Sequence, residues 1–260
     1  MSKKSAKWTT AETLDRLAAE GGAPAVTAAG PDNWSLGPAE IGKEEIAEVT
    51  AALRDRKLFR FELEPERSWV NRFERAFAEK TRVRHVLAVN SGTSALISAL
   101  VGLGVSAGDE VLVPAYTYIA TAAAVLALGA FPVVVDVDRS LTMDPADFER
   151  KISPRSRAVI PVHMRGVVCD LRRILAVARR HGLKVLEDCA QANGATYRGR
   201  PVGSWGDAGA FSLQQFKVIT AGEGGAVTTG RREVFERAAM YHDAAYMFWL
   251  DSGPFDCGMT

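Results

Sequence analysis

One lysine, Lys217, stands in an apolar segment where it could act as a nucleophile. Its neighbours Phe216, Val218 and Ile219 are apolar. Because burial disfavours the charged ammonium, a lysine in a dry apolar pocket has a lowered pKa and can attack carbonyl carbon atoms. The ordinary alternative is a surface lysine that extends its charge into solvent, and Lys217 taken alone favours that alternative.

Two adjacent acids, Glu187 and Asp188, end an apolar run that we predict to be a strand over Lys184–Glu187. Successive side chains of a strand point to opposite faces of the sheet, so only one of the two acids is expected to enter a site. A carboxylate there could hold a metal, a ribose or a protonated ring nitrogen. The alternative is a solvated acid at the start of a loop.

The segment Asn90–Ser94 follows another apolar run and opens a predicted helix. Backbone N–H groups at a helix start can bind a phosphate, and the Thr93 hydroxyl could add a bond. Gly92 would let the ligand approach the backbone closely. The alternative, which is about equally favoured, is a simple helix cap supplied by Ser91 or Thr93.

These three signals make more sense together than apart. Pyridoxal phosphate carries a phosphate, a pyridine nitrogen and an aldehyde, and a phosphate cradle, a buried acid and a lysine would be their partners. The sequence contains no His/Cys/Asp cluster with zinc spacing, no GxSxG and no GxGxxG, which weakens the zinc, hydrolase and dinucleotide-binding alternatives. The combination therefore predicts a pyridoxal phosphate site and no metal.

The elements that must position these residues alternate between short apolar runs and helical stretches. Two helices are predicted first, over Pro38–Lys57 and Ser68–Thr81. Seven strands are predicted after them, over Val86–Val89, Val111–Val113, Pro132–Val137, Ala158–Val162, Lys184–Glu187, Gly209–Leu213 and Gly225–Thr228. Strands that alternate with helices indicate a parallel α/β sheet, in which ligands bind beyond the carboxyl ends of the strands.

Composition and charge restrict the class of protein further. The chain has 260 residues, and 32 basic against 31 acidic residues give a formal net charge of +1. A nearly neutral chain has no strong field for polyanions, so no nucleic acid partner is expected. Three widely spaced cysteines and the lack of a recognisable signal peptide favour a cytoplasmic protein.

The uncharged stretch Val111–Val135 has prolines near its ends and acidic flanks, which favour strand–helix–strand over a membrane span.

Five segments resemble the motifs of the DegT/DnrJ/EryC1/StrS aminotransferases: VNSGTSAL, PAYTYIATAAAVLALGAFPVVVDVD, PVHMRG, LEDCAQANGATYRG and GAFSLQQFKVITAGEGGAVTT. That family consists of fold-type I pyridoxal phosphate enzymes, which act mostly on nucleotide-linked keto sugars and in some branches on keto cyclitols. The resemblance runs from about Leu36 to Tyr241. It implies an N-terminal arm and helix over residues 1–57, then a PLP-binding large domain over 58–260 with a mostly parallel seven-stranded sheet sandwiched by helices.

The resemblance also implies a role for each site residue. Lys217 matches the lysine that holds the cofactor as a Schiff base, and Asp188 matches the acid that holds the pyridine nitrogen; both are expected to be catalytic. The other expected cofactor contacts are Gly92, Thr93 and Ser212 at the phosphate, Tyr118 stacked on the ring, and Gln191 near the ring oxygen. His163 is expected either to line the substrate pocket or to be a hydrogen-bonded residue of the core.

By the same resemblance, the protein is a homodimeric aminotransferase of aminosugar biosynthesis that moves an amino group from glutamate or glutamine to a keto sugar or keto cyclitol. Family members continue into a smaller C-terminal domain, whereas this chain ends shortly after the apolar run Tyr246–Leu250. We therefore expect that small domain to be missing. A truncated or split, non-catalytic protein of the same fold, which binds cofactor or a partner, is the alternative.

Overall fold

The main sheet has seven strands within the described residues, which are 36–60 and 66–243 of the computed structural model. They are β1 (His85–Val89), β2 (Glu110–Pro114), β3 (Phe131–Val135), β4 (Ser156–Val159), β5 (Lys184–Asp188), β8 (Ala208–Ser212) and β9 (Gly225–Thr229), while β6 (Thr196–Tyr197) and β7 (Arg200–Pro201) form a separate hairpin. The order across the sheet is β1-β9-β8-β5-β4-β2-β3. Only β9 runs antiparallel to its neighbours, so the predicted mostly parallel seven-stranded sheet is confirmed.

The described residues also form eight α-helices and a short 3₁₀ turn, Met164–Gly166. The helices are α1 (Leu36–Ala39), α2 (Lys43–Asp55), α3 (Trp69–Thr81), α4 (Gly92–Gly102), α5 (Ala120–Ala127), α6 (Pro145–Arg150), α7 (Leu171–Arg180) and α8 (Arg232–His242). The helix predicted over Pro38–Lys57 is divided at Gly42, an extended residue whose N–H donates to the Glu45 carboxylate at 2.7 Å.

The alternation of buried side chains along the strands places apolar clusters on both faces of the sheet. In β2, Val111 and Val113 join the cluster that packs on α4, whereas Leu112 joins the opposite cluster with Ile174 of α7. A strand that is buried on both faces reads as a continuous apolar run. β2 is such a strand, and the uncharged chain from 111 to 135 forms β2, α5 and β3 as predicted.

Across the described residues, no helix has the length and apolar character that a membrane crossing requires. All of these residues belong to a single compact unit. The predicted N-terminal arm before Leu36 and the apolar run Tyr246–Leu250 lie outside the described residues.

Candidate functional site

The predicted site residues meet at the carboxyl edge of the sheet. Asp188 ends β5 and pairs in register with Ala210 of β8, so Ser212 at the end of β8 lies just beyond it along the same edge. Gly92 begins the helix that follows β1, and a Cβ placed on it would lie 2.7 Å from the Cβ of Ser212. Three segments that are distant in sequence thus converge where an open α/β sheet binds its ligands.

Asp188 is a buried carboxylate, 5% exposed, with a hydrogen-bond donor at each oxygen. Its Oδ1 accepts from the backbone N–H of Ala190 at 3.1 Å, and its Oδ2 accepts from the Thr121 hydroxyl at 2.9 Å. Burial raises the pKa of Asp188, and the two hydrogen bonds together with the charges of His163 and Lys217 oppose that rise. Bonds that favour the ionised form make this carboxylate suitable for holding a cationic ring nitrogen.

Lys217 lies in the loop between β8 and β9, where its side chain is half-buried. Burial lowers the pKa of the ammonium group, while the negative charge of Asp188 acts in the opposite direction. The apolar neighbours that raised the possibility of a dry pocket are exposed, since Phe216, Val218 and Ile219 are each at least half open to solvent. These side chains are largely open to solvent, so the half-burial of the lysine comes from other parts of the fold.

Helix α1 is one of those other parts. A Cβ placed on Gly37 would overlap the carbonyl oxygen of Lys217 and would lie 2.8 Å from Cγ2 of Thr220. The backbone of α1 consequently lies directly against the lysine loop. Sequence reasoning missed this contact because a glycine beside a proline reads as an ordinary turn.

The start of α4 has the donors that a phosphate cradle needs. Ser91 is the N-cap, and its hydroxyl accepts from the N–H of Ser94 at 3.0 Å. The N–H groups of Gly92 and Thr93 find no acceptor among the described residues, as is usual in the first turn of a helix. Because Gly92 lies directly against Ser212, the two backbone donors and the Ser212 hydroxyl are close to one another, and donors of these kinds are suited to a phosphate group.

The other acid, Glu187, faces away from the site, as strand alternation predicted. Its carboxylate accepts three backbone N–H groups from the turn 203–206 at 2.7–2.9 Å.

The Nε2 atom of His163 lies 3.2 Å from Glu187 Oε2, and His163 Nδ1 accepts from the N–H of Cys169 at 3.3 Å. With both ring nitrogens engaged and no exposed surface, His163 fits the core alternative better than the pocket-lining one.

His163, Glu187 and Cys189 have potential metal-ligand atoms within 4.8 Å of one another. Burial raises the pKa of the Cys189 thiol to about 12, whereas a metal requires the thiolate. The Glu187 oxygens are already occupied by backbone N–H groups. This cluster is therefore better described as a hydrogen-bonded part of the core.

The two remaining predicted contacts, Tyr118 and Gln191, lie just before α5 and just after β5. Tyr118 is 66% exposed in the turn before α5, three residues ahead of Thr121. The side-chain oxygen of Gln191 accepts from the N–H of Arg165 at 3.0 Å, which fixes its amide just after β5. Their contacts with a cofactor remain predictions.

The fold is that of the fold-type I pyridoxal phosphate aminotransferases. The chain belongs to the DegT/DnrJ/EryC1/StrS aminotransferase family, whose sequence model matches residues 39–247.

Individual relatives are longer than this chain. The chain is 46% identical to GDP-perosamine synthase of Caulobacter vibrioides over 193 residues, which cover 72% of this chain and 52% of the relative. It is 48% identical over 174 residues to L-glutamine:2-deoxy-scyllo-inosose aminotransferase of Micromonospora echinospora, and the match covers 66% of this chain and 41% of the relative. Among solved structures, the PLP form of the sugar aminotransferase Spr1654 of Streptococcus pneumoniae matches with a TM-score of 0.71 and 30% sequence identity. The match covers 77% of this chain and 55% of the Spr1654 chain. The chain thus spans about half the length of the relatives it matches.

Proposed function

We propose that this chain binds pyridoxal phosphate and takes part in amino transfer to a keto sugar or keto cyclitol. The observation that supports it most directly is that Asp188, Lys217 and the Gly92–Ser212 cradle meet at one edge of the sheet. Their chemistry matches the three polar ends of that cofactor.

In this proposal each residue has a separate task. The N–H groups of Gly92 and Thr93 and the Ser212 hydroxyl would bind the phosphate, and Lys217 would hold the aldehyde end of the cofactor. Bound pyridoxal phosphate withdraws electrons from the substrate carbon next to the transferred nitrogen. Asp188 holds a proton on the ring nitrogen, and the Lys217 amine, when free, moves a proton at that carbon as base and then acid. Its lowered pKa makes Lys217 better suited to that role than an exposed lysine.

The proposed substrate class, keto sugars and keto cyclitols, rests on what related proteins act on. One acts in the synthesis of GDP-perosamine, and another transfers nitrogen from L-glutamine to 2-deoxy-scyllo-inosose. We therefore propose glutamine or glutamate as the donor and a nucleotide-linked keto sugar or a keto cyclitol as the acceptor. The alternative is a cofactor-binding or interaction protein of the same fold without turnover.

The test is an amino-transfer assay of the chain with added cofactor, each donor, and a panel of keto nucleotide-sugars and keto cyclitols. We expect donor-dependent amination of at least one acceptor, detected by mass spectrometry, and none when the donor is omitted. Cofactor binding without any amino transfer would support the alternative instead. Absence of cofactor binding would contradict the proposal.

Gly92→Ala should weaken cofactor binding by roughly tenfold to a hundredfold, because the new Cβ pushes Ser212 away from the α4 donors. The backbone of Gly92 does not have a positive φ, so alanine itself introduces no strain there. Titration of apoprotein with pyridoxal phosphate measures the effect. The matched control is Gly230→Ala, where an added Cβ meets no atom within 4 Å. Unchanged affinity in Gly92→Ala would contradict the phosphate role.

We also propose a cytoplasmic homodimer. Apolar side chains that are at least half exposed flank the two site segments, with Ile119 beside Tyr118 and Val218 beside Lys217. Exposed apolar groups of this kind are typical of interaction surfaces, and a second copy of the chain is the partner we propose.

A further inference from the structure

Two threonine hydroxyls connect the turn before α5 to the carboxylate of Asp188. Thr121 is fully buried, and its Oγ1 lies 2.9 Å from Asp188 Oδ2, 67 residues away in sequence. The Oγ1 atoms of Thr117 and Thr121 are 2.7 Å apart. Tyr118 lies between the two threonines in the chain, so the same two hydroxyls tie its segment to Asp188.

The direction of these bonds follows from counting protons. An ionised carboxylate can only accept, so the one hydroxyl proton of Thr121 points at Asp188. Thr121 must then accept from Thr117 at 2.7 Å, and the Tyr118 carbonyl oxygen, at 3.3 Å, is the more distant acceptor for the Thr117 hydroxyl. A threonine in the first turn of a helix commonly bonds its own backbone instead, yet for Thr121 the bond crosses to another element of the fold.

We propose that Thr121 is a positioning residue that holds the Asp188 carboxylate toward the ring nitrogen of the cofactor, an inference that rests on the function proposed above. The Ala190 N–H fixes the other carboxylate oxygen from the local turn. Thr121 therefore supplies the long-range contact that sets the orientation of the carboxylate relative to α5. Thr117 fixes the Thr121 hydroxyl in the donating orientation.

Thr121 also stabilises the charged form of the carboxylate. Of the ionisable groups around Asp188, His163 and Lys217 both favour its ionisation when they are protonated, as does the hydrogen bond from Thr121. Burial acts against it and is the largest single effect. Removing the hydroxyl should therefore raise the pKa of Asp188 further while leaving the packing volume unchanged.

The first measurement uses the apoprotein and needs no cofactor. A ¹³C NMR titration of the Asp188 carboxyl group is compared for wild type, Thr121→Val and Thr121→Ser. We expect the midpoint to move to higher pH in Thr121→Val and to return toward the wild-type value in Thr121→Ser, which keeps the hydroxyl. The control is Thr81→Val, where a buried hydroxyl that donates to the Phe77 carbonyl in α3 is lost far from this edge.

The second measurement is cofactor affinity by titration with pyridoxal phosphate. Thr121→Val should bind it roughly tenfold or more weakly, since a hydrogen bond to a charged group is lost, and Thr121→Ser and Thr81→Val should bind it nearly as wild type. If wild type itself binds no cofactor, the proposed function fails, and the apoprotein titration still tests the contact of Thr121 with Asp188.

Two results would overturn the inference. One is a folded Thr121→Val variant whose Asp188 midpoint and cofactor affinity equal those of wild type. The other is a Thr121→Ser variant as impaired as Thr121→Val, which would show that the methyl group matters and the hydroxyl does not. Should Thr121→Val fail to fold, Thr117→Val at the half-buried outer hydroxyl replaces it, with a shift in the same direction expected and no shift contradicting the inference.

Discussion

Asp188→Asn should reduce amino transfer by roughly a hundredfold to a thousandfold, the range seen when one preorganised electrostatic group is removed. Asparagine keeps the shape of the side chain, and its carbonyl oxygen can still accept one of the two bonds that Asp188 receives from Thr121 and Ala190. It has no charge, so it cannot keep a proton on the ring nitrogen. We therefore expect a folded protein that binds the cofactor but turns over slowly.

The measurement is kcat for the best acceptor, together with thermal unfolding of each variant. The matched control is Asp147→Asn, because Asp147 is equally buried and accepts the Asp136 N–H at 2.7 Å but belongs to α6. That control should lose stability and keep its turnover rate. Equal turnover in Asp188→Asn and wild type would remove Asp188 from the proposed chemistry.

Lys217→Ala should lower turnover by ~10⁴-fold or more, because the same amine would supply both the covalent attachment and the proton transfer. Lys217→Arg separates these roles from simple charge, since arginine keeps the positive charge and stays protonated. We expect both variants to be inactive. Lys184→Ala is the control, because Lys184 lies at the opposite end of β5 from Asp188.

The assay for these variants is single-turnover transfer from the donor, followed by mass spectrometry of the acceptor. An active Lys217→Arg variant would indicate that the lysine contributes only charge. An active Lys217→Ala variant would contradict its assignment altogether.

Local signals account for the parts of the fold that the sequence predicts well. The sequence predicts helices that begin at Thr93, Pro145 and Leu171. The observed helices α4, α6 and α7 begin at Gly92, Pro145 and Leu171, directly after the capping side chains of Ser91, Asp144 and Asp170. Strand alternation separates Asp188 from Glu187, because neighbours on a strand must face opposite ways. Those two rules need only the nearest residues in the chain.

The contacts that were missed join segments far apart in sequence. Thr121 meets Asp188 across 67 residues, and Gly37 meets the Lys217 loop across a still longer separation. Periodicity tells which face of an element is apolar, but it does not tell which polar group another element presents to it. The spacing of Thr117 and Thr121, one helical turn apart in an apolar stretch, was the available signal for the first contact.

The surroundings of Lys217 are also set by residues that are distant in sequence. Its apolar neighbours suggested either a dry pocket or, as the favoured alternative, a surface lysine, yet a loop residue takes its surroundings from tertiary contacts rather than from adjacent side chains. Phe216 is 59% exposed, whereas α1 lies against the backbone of the lysine itself. The lowered pKa predicted for Lys217 agrees with the structure, although its expected cause in the local sequence does not.

Reduction of the cofactor-loaded protein with borohydride tests the central claim most directly. The protein is mixed with pyridoxal phosphate, its visible spectrum is recorded, and the reduced sample is digested and mapped by mass spectrometry. We predict a visible absorption band that borohydride removes, with the pyridoxyl group found on Lys217. No band, a group attached to a different lysine, or a band that persists in Lys217→Ala would contradict the claim.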